Sequence, residues 1–242
     1  MKRIITLAAI LSLVASCAPK EQWVELFDGK TLAGWAGVDG QPLGENYWAV
    51  VDGAIVSHPS MEELPAEVGS SLAPTSDARD LMTVASFSNF KLSVDFLLEE
   101  GSNGGIKYFI NPGTFSGPSI GFEYQIIDDD KFGEKFFKIN NVQTTASLYD
   151  ILSSNKKDAN FRPYEWNNAT IIVDGGIVQH WLNGVKVLEI DRFSESFDRL
   201  VVNSKFAKED GFGKLEGGHI ILQDHGCRVR YKNIKIQELS GK

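Results

Sequence analysis

The sequence predicts an all-β domain folded as a sandwich of two antiparallel sheets. Short β-type segments recur along the chain. The turn dipeptides Asp52-Gly53 and Asn183-Gly184 separate apolar runs. No helix-period stretch of useful length interrupts them after the N-terminal region. Strands at such spacing, without helices between them, pack as a sandwich or barrel.

The elements follow in order. Residues 47–51 and 54–57 flank Asp52-Gly53, a dipeptide that tolerates the positive φ of a tight hairpin. Residues 90–98 alternate, with Phe90, Leu92, Val94 and Phe96 on one face. Residues 105–110 and 122–127 form two more strands. A meander comes next: 170–173, the turn Asp174-Gly175-Gly176, 177–182, the turn Asn183-Gly184, then 185–190. Residues 219–223 and 228–237 close the chain. The stretch 59–80 carries three prolines and Glu62-Glu63 and is expected to be a long surface loop. Residues 131–160 form a second irregular excursion. No internal repeat or low-complexity linker appears, so residues 23–240 are expected to be one domain.

The N-terminus reads as an export signal. Lys2 and Arg3 precede an apolar run over 4–14, and Val14-Ala15-Ser16 leads directly into Cys17. The run is shorter than the ~20 apolar residues of a membrane span. Val-Ala-Ser-Cys resembles a bacterial lipobox. Residues 1–16 would then be a signal peptide, Cys17 the lipidated residue and 17–22 a tether. The expectation is an exported envelope lipoprotein that meets the membrane through acyl chains only. Loss of Lys2 and Arg3 moves the formal charge from −8 to −10. Such an acidic chain repels nucleic acid and anionic lipid, whereas a neutral sugar is compatible with it. After lipidation Cys227 is the remaining thiol, so no intramolecular disulfide is expected and stability must come from a core.

Three stretches carry residues suited to chemistry. Along 121–128, Glu123 and Gln125 share one strand face while Phe122, Tyr124 and Ile126 share the other. Strict alternation puts Asp128 on the apolar side, so it joins a site only through a bulge or the strand's end. The spacing Glu-x-Gln-x-x-Asp is similar to the Glu-x-Asp-x-x-Glu strand of sandwich-fold glucanases, with an amide in the middle and a shorter last acid. A retaining glycosidase needs two carboxyls ~5–5.5 Å apart, which that departure disfavours. In the second stretch, 101–109, glycines permit a close approach to the backbone. Lys107 faces opposite Ile106 and Tyr108, where an ammonium could bind a carbonyl or hydroxyl oxygen. In the third, 222–226, Gln223 and His225 share a face, and histidine is suited to proton transfer near neutral pH. His180 is a weaker candidate of the same kind. Trp35, Trp48, Trp166 and Trp181 could stack on sugars, although core packing is the commoner use of a tryptophan. Zinc-ligand spacing, Walker and Rossmann glycine patterns and the Gly-x-Ser-x-Gly elbow are absent.

These stretches, with others, resemble one family. They are Leu-Phe-Asp-Gly-Lys-Thr-Leu-x-Gly-Trp (26–35), Asn-Gly-Gly-Ile-Lys-Tyr-Phe (103–109) and Gly-Phe-Glu-Tyr-Gln-Ile-Ile-Asp-Asp (121–129). Glu-Trp-Asn (165–167), His-Trp-Leu-Asn-Gly-Val-Lys-Val (180–187), Gly-His-Ile-Ile-Leu-Gln-Asp-His-Gly (218–226) and Lys-Asn-Ile-Lys-Ile (232–236) complete the set. The chain resembles the 3-keto-disaccharide hydrolases, secreted bacterial proteins. The resemblance implies a concanavalin A-like (lectin/glucanase) jelly-roll sandwich with a concave, sugar-facing sheet. It implies glycosides oxidised to a ketone at C3 as substrates. Such a ketone acidifies the C2 hydrogen, so a base can remove it, a cation or donor can hold the enolate oxygen, and the C1 glycosidic bond can leave by elimination before water adds.

On that basis Glu123 or His225 is the base, Lys107 stabilises the enolate oxygen, and Asp128 protonates the leaving oxygen. Gln125, Gln223, Asn103, His180 and Lys205 form the substrate-binding set. A divalent metal held by residues such as Glu123, Asp128, His180 and His225 is the alternative enolate stabiliser. The rival functions are a non-catalytic glycan-binding module, a conventional glycosidase on unoxidised sugar, and a structural envelope lipoprotein. Fold alone does not choose among them.

Overall fold

A computed structural model describes residues 22–60, 79–132 and 139–241. The expected signal, Cys17, nearly all of the tether and most of the 59–80 loop lie outside the described residues. The strands are β1 (Val24–Glu25), β2 (Trp35–Gly37), β3 (Trp48–Val51), β4 (Ala54–Ser57), β5 (Leu81–Phe87), β6 (Phe90–Leu98) and β7 (Asn103–Ile110). They continue as β8 (Phe122–Ile127), β9 (Asn167–Asp174), β10 (Ile177–Leu182), β11 (Val185–Asp191), β12 (Gly218–Leu222) and β13 (Val229–Glu238), with helix α1 (Glu195–Val202) between β11 and β12. The larger sheet runs β11-β10-β9-β6-β13-β4-β3, and β1 also pairs with β13. The smaller runs β2-β5-β12-β7-β8. All pairings are antiparallel. The expected all-β sandwich of two antiparallel sheets is what forms.

Alternation builds the core. On β6 the side chains of Phe90, Leu92, Val94, Phe96 and Leu98 are at most 2% exposed, with partly exposed residues between them. They pack in one cluster with Ile106, Tyr108, Tyr124 and Ile126 of the smaller sheet. Each such burial stabilises the fold by about 1.5–3 kcal/mol. Two hairpins form at the expected dipeptides. Asp52 and Gly53 have φ of 51° and 74°, and Asn183 and Gly184 have 49° and 80°. Two consecutive positive φ values give the turn whose twist matches the flanking strands.

Strands β1, β2 and β5 and helix α1 escaped the sequence pattern. Leu81, Met82 and Thr83 of β5 are buried in succession because that end of the strand is covered on both faces. Leu81 joins the main core, whereas Met82 packs with Val38, Ile110 and Ile221 in a separate apolar cluster. Two-sided burial abolishes the alternation by which strands are recognised. Helix α1 has eight residues, too few for a helical period to show. Its start is set by Ser194, whose hydroxyl accepts the Phe197 N–H at 3.2 Å, and by Glu195 and Asp198 in the first turn.

His180 lies in the core. The alternation that turns Val178 and Leu182 of β10 inward turns His180 inward too. The Tyr108 hydroxyl donates to its Nε2 at 2.9 Å, and its Nδ1–H donates to the Ala146 carbonyl at 2.9 Å. Burial pushes the imidazole down to about 4, so it is neutral and bridges the two sheets.

Candidate active site

The outer face of the smaller sheet carries the site. Core-facing Ile106, Tyr108, Phe122 and Tyr124 leave Lys107 and Glu123 on the opposite face, where they are direct cross-strand partners. Gln223 extends the neighbouring strand, its N–H donating to the Gly105 carbonyl at 3.0 Å. Beyond β8 the chain returns along the sheet's edge. Ala146 N–H donates to Gln125 O at 2.8 Å and Tyr149 N–H to Glu123 O at 3.0 Å, which covers the edge and brings Tyr149 to the site. Lys107, Glu123, Gln223 and His225 line a cavity of about 320 Å³ with Asp80, Asp224, Ser119, Tyr149, Lys205, Phe206 and Glu209.

Gln223 is the hub of the cavity. Its amide is oriented by its neighbours, since an oxygen turned toward the Glu123 carboxylate would face an acceptor and a nitrogen turned toward Lys107 would face a donor. In the satisfied orientation its nitrogen donates to Glu123 Oε1 at 3.2 Å, and its oxygen accepts from Lys107 Nζ at 3.2 Å and His225 Nε2 at 3.1 Å. That bond places the His225 proton on Nε2. Nδ1 is shielded from solvent and has no hydrogen-bond partner among the described residues. Burial pushes His225 down to about 4, with the Lys107 and Lys205 cations adding to it and Asp224 opposing, so the ring is neutral at pH 7.

Gly105 lets this cluster close. A Cβ there would lie 3.0 Å from both Glu123 Oε1 and the Gln223 amide nitrogen that donates to it. The glycine therefore admits two neighbouring side chains over the strand. Gly105→Ala is expected to keep the fold and lower turnover about tenfold or more by separating Glu123 from Gln223. Measuring kcat beside Tm checks this, and an unchanged kcat would sink it.

Of the candidate residues, Glu123, Lys107, His225, Gln223 and Lys205 converge on the cavity. The Lys205 ammonium lies 4.2 Å from the Tyr149 ring centroid and 5.0 Å from that of Phe206. Gln125 shares the face of Glu123, but its Oε1 accepts its neighbour Ile126 N–H at 2.9 Å and it does not line the cavity. Asn103 is buried two positions before Gly105, opposite Ile127, and also stands off the cavity. Asp128 is bound into a turn. Its Oδ2 accepts Gly101 N–H at 2.8 Å and Tyr164 O–H at 2.7 Å, and its Oδ1 accepts Lys131 N–H at 3.0 Å. Strand parity removed it from the Glu123 face, and no bulge returns it there. Trp35 and Trp48 are core residues, and the Lys232 ammonium covers Trp166 at 3.9 Å. With His180 in the core and Asp128 in its turn, the expected metal ligands do not converge. Among the described residues no group of three or more His, Cys, Asp or Glu side chains is placed to hold a metal ion.

Five polar residues at or beside the site, Asp224, His58, Arg79, Asp80 and Tyr149, were not singled out from sequence. The Asp224 carboxylate is fully buried, 2.7 Å from His58 Nε2 and 3.1 Å from Arg79 Nε, and it accepts Gly226 N–H at 2.6 Å. Burial works against its charged form, but the His58 bond, the Gly226 N–H and the Arg79 charge outweigh that and hold the carboxyl below its usual range. Asp224 N–H donates to Asp80 Oδ1 at 2.8 Å, and Asp80 Oδ2 lies 3.3 Å from Lys107 Nζ. Tyr149 is pushed up to about 12 by burial and by the nearby Glu123 and Asp150 carboxylates. Asp224 sits inside a stretch the sequence did flag. Asp80 and His58 look like ordinary surface polar residues until the fold assembles them.

Residues 22–237 match the model of a family described as the 3-keto-alpha-glucoside-1,2-lyase-like domain. The chain belongs to this family. The 3-keto-disaccharide hydrolase of Bacteroides thetaiotaomicron is 30% identical to this family member, over 90% of this chain and 78% of the relative. A crystal structure of a Parabacteroides distasonis protein with a provisional glycosyl hydrolase name is 29% identical. It superimposes with a TM-score of 0.74 over 90% of this chain and 94% of that one. A second such structure from the same organism is 24% identical, with a TM-score of 0.63 over 90% and 100% of the two chains, and shares the fold. The family's description and the relative's name both refer to 3-keto sugars.

Proposed function

We propose that this protein releases a sugar from 3-keto-glycosides by elimination followed by hydration. The observation that carries the reading is the hydrogen-bonded cluster in which one amide, Gln223, joins Glu123, Lys107 and His225 at the wall of one cavity. A C3 ketone acidifies the adjacent C2–H. Glu123 accepts that proton as the C3 oxygen takes the negative charge, and Lys107 stabilises the enolate from its fixed place. The enolate electrons then form the C1–C2 double bond as the C1–O bond breaks, and the departing oxygen takes up a proton. Water adds at C1 and a proton returns to C2, so the net change is hydrolysis.

Glu123 is a better base than His225. The neutral ring donates through Nε2, and its other nitrogen is shielded. His225 and Gln223 instead hold the sugar's hydroxyls and set the orientation of Lys107 and Glu123. The family description and the Bacteroides relative support the substrate class. Among the described residues the cavity is lined mostly by charged and amide groups and by no tryptophan, which favours chemistry over simple glycan binding.

The test offers purified protein a panel of glycosides and their 3-keto forms in deuterated water, following sugar release and exchange at C2. Release from the keto forms with exchange is expected. Release without exchange at C2 would remove elimination. Release from unoxidised glycosides alone points to a conventional glycosidase, and binding without release points to a glycan-binding module.

A further inference from the structure

The most deeply buried charges at the cavity lie in a chain that the reaction above does not use. Asp80 directly precedes β5 and Asp224 follows β12, and these strands pair with Leu81 opposite Leu222. Both carboxylates are therefore delivered to the same end of neighbouring strands. The chain begins at the partly buried His58 and Arg79, which hold Asp224. The Asp224 N–H holds Asp80, and Asp80 faces Lys107. The Lys107 side chain is only 10% exposed, and the Asp80 side chain only 2%. An ammonium withdrawn from water to that degree keeps its charge only if a fixed negative group stands beside it.

We infer that Asp80 is the positioning residue for Lys107, anchored through Asp224 by His58 and Arg79, and that it holds the lysine charged at the cavity wall. This rests on the reading of Lys107 as the group that stabilises the enolate. Because Asp80 accepts from a backbone N–H at one oxygen and faces Lys107 with the other, it sets the place of the ammonium as well as its charge. Among the described residues, the ionisable groups that line the cavity with Lys107 are Glu123 on β8, Asp80 before β5, Asp224 and His225 beyond β12, Tyr149 from the chain beyond β8, and Lys205 and Glu209 from the stretch after α1. Asp80 and Glu123 favour the ammonium, and Lys205 opposes it.

Asp80→Asn is the discriminating variant, since asparagine still accepts the Asp224 N–H but carries no charge. Lys107 is followed by ¹³Cε-lysine NMR, its signal assigned with Lys107→Arg, so one readout needs no turnover. The expected result is that the Lys107 titration midpoint falls by about one pH unit or more. The alkaline limb of the kcat profile on a 3-keto-glycoside falls with it, while KM changes little. An unmoved midpoint overturns the inference. A midpoint that falls in a protein whose parent turns over no 3-keto-glycoside supports the pairing and counts against the elimination reading. If Asp80→Asn does not fold, Asp80→Glu keeps the charge but shifts it by one methylene. A roughly tenfold loss of kcat at unchanged Tm is then expected, and parental kcat overturns the proposal.

Discussion

Glu123→Gln is expected to lower release from a 3-keto-glycoside by two to four orders of magnitude, the usual contribution of a positioned general base. The substitution is nearly isosteric and the glutamine amide can rotate to offer its oxygen to the Gln223 nitrogen, so the hydrogen bond at 3.2 Å has a substitute. Tm and KM should therefore stay close to the parent's. What disappears is the acceptor for the C2 proton, so exchange of that hydrogen and sugar release should fall together. The informative measurement is both rates on one sample. If exchange stops while release continues, or neither changes, Glu123 is not the base.

The largest stability effect is expected at His180. Replacing it by leucine fills similar space but leaves the Tyr108 hydroxyl and the Ala146 carbonyl buried without their partner. Two unsatisfied buried groups cost roughly 3 kcal/mol, which lowers Tm by about 6–12 °C for a domain of this size. The pH dependence gives a second, independent reading. The folded-state value of His180 is about 4 against 6.5 for a free imidazole. The unfolded chain therefore binds a proton that the folded one refuses. The contribution of the neutral ring is fully present above pH 6.5 and is lost as the pH falls toward 4. Over that window the slope is about 1.4 kcal/mol per pH unit. In His180→Leu that share of the slope should vanish, so parent and variant converge as the solution is acidified. Denaturant unfolding at several pH values checks this, and parallel curves would refute it.

Much of the fold was legible because its signals are local. The hairpins at Asp52-Gly53 and Asn183-Gly184 need only two residues that accept positive φ. Strand β6 shows its core face through simple alternation. β5 was hidden because Leu81 and Met82 face different apolar clusters, so alternation is lost at that end of the strand. Within the site, parity placed Lys107 and Glu123 opposite the core-facing side chains of their strands, and the structure makes them cross-strand partners. The same parity set Asp128 on the other face, and it also pointed His180 inward between Val178 and Leu182.

Fold class, strand faces and family are all legible in the sequence, because side-chain alternation, turn chemistry and motif order are written in neighbouring residues. The tertiary structure alone decided which faces meet. Gln223 reaches Glu123 only because β12 lies beside β7 and Gly105 leaves room above the strand. Asp80 meets Lys107 because β5 lies beside β12, where the Asp224 N–H donates to its carboxylate. Periodicity tells a side chain which way to point. The register of distant strands and the loops that cover them tell it what it touches, and the chemistry of this cavity depends on those contacts.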